Sequence, residues 1–93
     1  MGQAKELSRN FTIRNHLGLH ARPAALLVKT ATQFKARITI RSDSAEVDGK
    51  SILGLMTLAA DQGSTLTFVA VGEDADRALN AIEQLFEDGF GEK

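Results

Sequence analysis

Hydrophobic positions along this 93-residue chain switch several times between a period of two and a period near 3.6. Leu7, Arg9, Phe11 and Ile13 alternate with Ser8, Asn10, Thr12 and Arg14. That pattern predicts a half-buried strand over Leu7–Arg14, with Arg9 the one misfit on the apolar side. Asn15 to His20 read as a loop around Gly18, and Pro23, the only proline, stands where a first helical turn should begin. Behind it Ala24, Leu27, Val28 and Ala31 fall at i, i+3, i+4 and i+7, the apolar stripe of a helix. Ala36, Ile38 and Ile40 alternate with Lys35, Arg37, Thr39 and Arg41 in a second strand. A Ser42-Asp43-Ser44 turn leads to a short third strand, Ala45-Glu46-Val47, closed by Asp48-Gly49. Ser51, a favoured N-cap, precedes Ile52, Leu55, Met56 and Ala59 at helical spacing, and Asp61 to Ser64 end that helix. Thr65 to Val71 form a fourth strand. Asp74 can cap a last helix striped by Ala75, Ala78, Leu79, Ile82, Leu85 and Phe86, which Gly89 stops.

The order is βαββαβα. Strands with one apolar face and amphipathic helices imply an open-faced sandwich, one sheet with helices packed on a single side. The hairpin between the second and third strands makes at least part of the sheet antiparallel. There is no internal repeat, low-complexity tract or linker. Residues 1–6 read as a frayed, flexible tail and residues 7–93 as a single domain.

Composition narrows the function classes. With 43% hydrophobic and 25% charged residues the chain has the make-up of an ordinary globular domain. A formal net charge of -1 gives no electrostatic reason to expect nucleic acid. The element order is also that of an RNA-recognition module, but the chain has no Tyr or Trp and no aromatic RNA-binding strand. The absence of Cys excludes disulfides, thiolate metal sites and cysteine nucleophiles, and suits a reducing compartment. No apolar run is long enough for a membrane span, and the polar N-terminus lacks the core of a signal peptide, so a cytoplasmic location is expected. The Asn10-Phe11-Thr12 sequon is then a chance match.

The stretch richest in chemistry is Gly18-Leu19-His20-Ala21-Arg22-Pro23-Ala24. It sets a histidine just before a helix N-terminus, where unpaired N–H groups and the positive end of the dipole attract anions. Arg22 adds a fixed charge and planar donors matched to phosphate oxygens. Both positive influences disfavour the imidazolium form of His20, which is expected to keep the ring neutral and nucleophilic. Nothing nearby is arranged to activate water, so the pattern suits a phosphohistidine better than a hydrolase. On residue types alone, an ordinary loop histidine beside a solvated arginine is the commoner reading. Gly49-Lys50-Ser51 lacks the earlier glycine of a P-loop, that position being Ser44. His16 and His20 have no third metal ligand in view, so no metal or other cofactor is expected.

The string Asn15-His16-Leu17-Gly18-Leu19-His20-Ala21-Arg22-Pro23-Ala24 closely resembles the active-centre signature of the HPr family, the histidine-containing phosphocarriers of the bacterial phosphoenolpyruvate phosphotransferase system. A second segment, Val47-Asp48-Gly49-Lys50-Ser51-Ile52-Leu53-Gly54-Leu55-Met56-Thr57-Leu58, resembles that family's regulatory-serine region. The resemblance runs from about Leu7 to Phe90. It implies an α+β fold, the HPr-like open-faced β-sandwich, with a four-stranded antiparallel sheet and three helices on one face. It further implies that His20 takes a phosphoryl group from phospho-enzyme I on Nδ1 and gives it to an EIIA-type acceptor. Arg22 would stabilise the group in transfer, and the backbone at Ala21 and Arg22 would help hold it. The chain would be a monomeric carrier, not a stand-alone enzyme. Ser51 carries two readings, an N-cap and a site for an HPr kinase/phosphorylase. On the second helix, Ile52, Leu53 and Met56 would offer apolar contacts to partners, with Leu53, off the stripe, the best candidate for exposure. His16 departs from the usual family pattern. The C-terminal Asp88-Gly89-Phe90 resembles the nitrogen-regulatory branch of the family and Lys50 to Gly54 the sugar-uptake branch, leaving two pathways open, together with a Ser51-controlled regulatory module that acts without sugar transport.

Overall fold

The alternating strands pair into one sheet because each carries its apolar residues on the same face. The computed structural model describes residues 5–92, so all of the expected tail except Lys5 and Glu6 lies outside the described residues. The strands are β1 (Glu6–Thr12), β2 (Arg37–Arg41), β3 (Glu46–Asp48) and β4 (Thr65–Val71). They lie in the order β1-β4-β2-β3, every neighbouring pair antiparallel. The register aligns the apolar rows: Phe11 faces Leu66, Ile38 faces Ala70, and Val47, Ile40, Phe68 and Arg9 run in one line across all four strands. β1 begins earlier than the alternation alone places it. Glu6 pairs with Val71, and the Lys5 carbonyl accepts the Gly72 N–H at 2.8 Å.

Three helices cover that face: α1 (Ala21–Ala31), α2 (Ile52–Thr57) and α3 (Ala75–Glu87), followed by a 3-10 turn at Gly89–Gly91. α1 buries Pro23, Ala24, Leu27 and Ala31, and α3 buries Ala75, Ala78, Leu79, Ile82 and Phe86, close to the stripes that helical spacing predicts. Removal of the larger of these, Leu27, Leu79, Ile82 and Phe86, from water at about 1.5–3 kcal/mol each is the main favourable term holding these helices to the sheet. Arg9 proves compatible with the covered face. Its guanidinium reaches α3, where it donates to Asn80 Oδ1 at 2.7 Å and Glu83 Oε1 at 3.1 Å. One charged residue thus ties the edge strand to the helix above it.

Two expectations need correction. The spacing of Ile52, Leu55, Met56 and Ala59 predicts a buried stripe, yet only Leu55 is buried. α2 ends at Thr57, Ala59 sits exposed in a left-handed conformation, and Ile52 and Met56 are exposed. A six-residue helix has less than two turns, so it presents one side chain inward and the rest of its stripe to solvent. Asp74 occupies the N-cap position of α3 but makes no side-chain cap. Its two carboxylate oxygens accept the backbone N–H groups of Lys35 and Ala36, both at 2.9 Å, which fastens the start of β2 to α3. The Lys35 N–H in particular holds the Asp74 carboxyl below its ordinary pKa; burial opposes this, and the Ala36 N–H and the Arg77 charge assist it.

The chain past α3 is anchored by aromatic packing. Phe11, Phe68, Phe86 and Phe90 form a cluster with ring centroids 4.9–5.5 Å apart. Phe90 is buried although its φ is 57°, a conformation that a bulky side chain holds only when packing enforces it.

Candidate functional site

His20 is the N-cap residue of α1, with extended backbone (φ -80°, ψ -171°) and no side-chain cap. Its carbonyl accepts the Ala24 N–H at 3.0 Å, opening the helix, while its ring is left for other work. Pro23 lies in the first turn, where its missing donor costs nothing. Around the ring, the N–H groups of Ala21 and Arg22 belong to the unpaired first turn, and that turn holds no acidic side chain. Arg22 is exposed and forms no ion pair among the described residues. The helix start therefore carries positive potential on a surface where the His20 side chain remains about 35% exposed.

The loop that presents His20 is built on tertiary contacts. Gly18 has φ +72°, and the Leu19 N–H donates to the Ala60 carbonyl at 2.9 Å. Leu19 is buried, so the residue before His20 is an anchor in the core. Asn15 is buried too. Its Nδ2 donates to the Gly18 carbonyl at 2.6 Å, which closes the loop on itself. His16 is exposed, as is Leu17, which leaves an apolar side chain at 71% exposure beside the site.

The residue that sequence reasoning missed is Glu92. Its carboxylate oxygens lie 2.8 and 3.0 Å from His20 Nε2, and Oε1 also accepts from Asn15 Nδ2 at 3.0 Å. A carboxylate accepts only, so Nε2 is the protonated nitrogen and donates. Nδ1 has no partner among the described residues. The His20 hydrogen bond is the main cause holding the Glu92 carboxyl below its ordinary range; partial burial opposes it, and the Asn15 amide and the Arg22 charge assist. Seventy-two positions separate the two side chains, so no local pattern links them. The one sequence signal is Gly89-Phe90-Gly91, an aromatic between glycines after a helix, which lets the chain turn back.

A free ring nitrogen beside a helix N-terminus and an arginine is an arrangement that can bind an anion and offer it a nucleophile. A family model described as "PTS HPr component phosphorylation site" matches residues 7–88. The chain belongs to the HPr family, the phosphocarriers of the phosphotransferase system. Among its relatives, phosphocarrier protein HPr of Xylella fastidiosa (strain Temecula1 / ATCC 700964) is 43% identical over 86 residues, covering 92% of this chain and 97% of the relative. A multiphosphoryl transfer protein of Salmonella typhimurium (strain LT2) is 40% identical over 89 residues, which is 92% of this chain but 24% of that protein. The crystal structure of HPr-C-His from Thermoanaerobacter tengcongensis superposes with a TM-score of 0.86 at 43% identity, covering 96% of this chain and 98% of the other. The HPr-like open-faced sandwich implied by the two motifs is therefore the observed fold.

The second motif lies at α2. Ser51 is its N-cap, and Ser51 Oγ accepts the Gly54 N–H at 3.0 Å. Lys50 turns away, donating from Nζ to the Phe34 carbonyl at 2.7 Å. Leu53 is 79% exposed, and Ile52 and Met56 accompany it at the surface. The loop carrying Leu17 runs against Ala60 and Asp61, just beyond the same helix. No helix among the described residues is long and apolar enough to cross a membrane.

Proposed function

We propose that His20 accepts a phosphoryl group on Nδ1 from phospho-enzyme I and passes it to an EIIA-type acceptor of the phosphoenolpyruvate-dependent system. The observation that carries this is the pairing of His20 Nε2 with Glu92, which leaves Nδ1 as the nucleophilic nitrogen. Arg22 supplies charge to the phosphoryl oxygens during transfer, and the N–H groups of Ala21 and Arg22 hold them, because phosphoryl transfer depends mainly on positioning and charge stabilisation. The exposed position of the ring suits a group that must move between two proteins. Ile52, Leu53 and Met56, exposed on α2, serve as the apolar docking surface for both partners. The Salmonella relative, in which an HPr-like segment is part of a larger multiphosphoryl transfer protein, fits a carrier that works beside other transfer components.

Ser51 supports a regulatory reading alongside the carrier one. An HPr kinase/phosphorylase would modify Ser51 at the start of α2. The helix end tolerates the new charge, but the dianion would stand beside Ile52 and Leu53 and repel an acidic partner. The carrier acts in the cytoplasm as a monomer in this reading.

The test is incubation of the full chain with enzyme I and phosphoenolpyruvate, followed by mass spectrometry and an acid-stability assay. The expected product has a single acid-labile phosphate that disappears in His20→Ala. Retained labelling in that variant would remove His20 from the mechanism. No labelling, by an enzyme I that phosphorylates a control HPr, would move the function to the Ser51-controlled module.

A further inference from the structure

The C-terminal turn does more than end the domain. α3 stops at Glu87, the chain reverses through Gly89–Gly91, and Phe90 inserts into the aromatic cluster with its ring 4.9 Å from that of Phe86. Two residues beyond that anchor, Glu92 reaches His20. A bulky residue in a left-handed conformation is a local cost, and here it coincides with the delivery of a carboxylate to the reactive ring. Asn15, buried beneath, holds Glu92 Oε1 with one N–H and the Gly18 carbonyl with the other. The clamp is thus tied both to the core and to the loop that carries His20.

We infer that Glu92 is a positioning residue that sets the tautomer of His20 and thereby chooses which ring nitrogen takes the phosphoryl group. Two effects act together. As an acceptor on Nε2–H, the carboxylate favours the tautomer in which Nδ1 holds the lone pair. As a negative group in direct contact with Nε2, it also bars an anionic phosphoryl donor from that side. The step itself gives the carboxylate a third effect. The Nδ1 lone pair forms the new N–P bond, the bond from phosphorus to the donor's leaving atom breaks, and its electron pair leaves with that atom. The ring keeps its proton on Nε2 and becomes positively charged, and the Glu92 carboxylate faces that charge directly. The relationship is the one by which a buried carboxylate orients a catalytic imidazole and stabilises its imidazolium.

This inference rests on His20 as the phosphoryl acceptor, so the test includes an arm that needs no phosphorylation. In the full chain, labelled with ¹⁵N-histidine, long-range ¹H–¹⁵N spectra read the ring tautomers of His20, with His16→Gln used for assignment. The parent and Glu92→Gln, whose amide oxygen can still accept, are expected to show a protonated Nε2 and an unprotonated Nδ1. In Glu92→Ala both nitrogen shifts move toward the averaged values of a free imidazole. In the second arm phosphoramidate is the donor, ammonia leaves, and the two phosphohistidine isomers are separated by ³¹P and ¹⁵N shifts. The parent and Glu92→Gln give the Nδ1 isomer alone; Glu92→Ala gives both. Amide spectra report that the aromatic cluster, from which Glu92 is absent, stays intact. A Glu92→Ala protein with the parent's tautomer and a single isomer overturns the inference, as does a Glu92→Gln protein that behaves like Glu92→Ala. If the tautomers shift as expected but neither phosphoramidate nor enzyme I labels the parent, tautomer control stands and the phosphocarrier role of His20 falls.

Discussion

Replacing Gly18 by alanine tests whether the His20 loop depends on its contact with the end of α2. Gly18 has φ +72°, and a Cβ placed there would lie 2.5 Å from the Ala60 carbonyl oxygen and 3.0 Å from Asp61 Cα. Both are backbone atoms and cannot swing aside as a side chain would. The same carbonyl accepts the Leu19 N–H, so moving it loosens the bond that seats the residue before His20. Backbone strain of a non-glycine residue in this conformation costs about 1–2 kcal/mol, and forced overpacking about 1–3 kcal/mol more. The expected loss is about 2–5 kcal/mol, against a total stability of roughly 5–14 kcal/mol for a domain of this length. Gly63 provides the control, since it has φ +90° with no heavy atom within 4 Å of a built Cβ. Gly63→Ala should lose only the strain contribution, about 1–2 kcal/mol. Urea unfolding of both variants measures the difference, and the melting temperature of Gly18→Ala should fall by at least about 8 °C. If the two variants lose the same stability to within about 0.5 kcal/mol, the close approach to Ala60 carries no energy and the reasoning fails.

Further outcomes follow from the same geometry. Arg22→Ala should slow phosphoryl transfer roughly a hundredfold, the scale of removing one charge-stabilising donor, with enzyme I binding retained; unchanged single-turnover rates would remove Arg22 from the site. Ser51→Ala should cost about 1 kcal/mol in urea unfolding through loss of the bond to the Gly54 N–H. Ser51→Asp, also a good cap, should keep stability but weaken docking to enzyme I by calorimetry, and equal affinity would count against repulsion at α2. Asp74→Asn should be less stable than the parent at neutral pH. The Asp74 pKa is lowered in the folded state, so its contribution is fully present above the ordinary carboxylate pKa and is lost as pH falls through the lowered folded value. The difference in urea midpoints should therefore shrink on acidification; a gap independent of pH would assign the effect to shape and not to charge.

Much of this protein is legible in its sequence. Period-two and period-3.6 patterns gave every strand and helix in order, and the residues flanking His20 marked a helix start suited to an anion. Local patterns carry this information because backbone geometry fixes which side chains share a face. They report which face is apolar, however, and not whether another element arrives to cover it. Ile52 and Met56 show the difference: their spacing is that of core residues, yet α2 is too short to turn both inward. Asp74 shows it for polar groups. A carboxylate at a helix start has local N–H groups from which it can accept, yet Asp74 accepts instead from two N–H groups 38 and 39 positions away. Arg9 breaks its strand's pattern until α3 brings Asn80 and Glu83 above it. The site divides in the same way. His20 and Arg22 are neighbours in sequence and could be read together, whereas Glu92 joins them only because the aromatic cluster folds the C-terminal turn back across the helix start. Sequence alone marked a helix start suited to an anion; the tertiary fold decided which nitrogen of His20 is engaged, because Glu92 reaches Nε2 only through a contact closed across 72 residues.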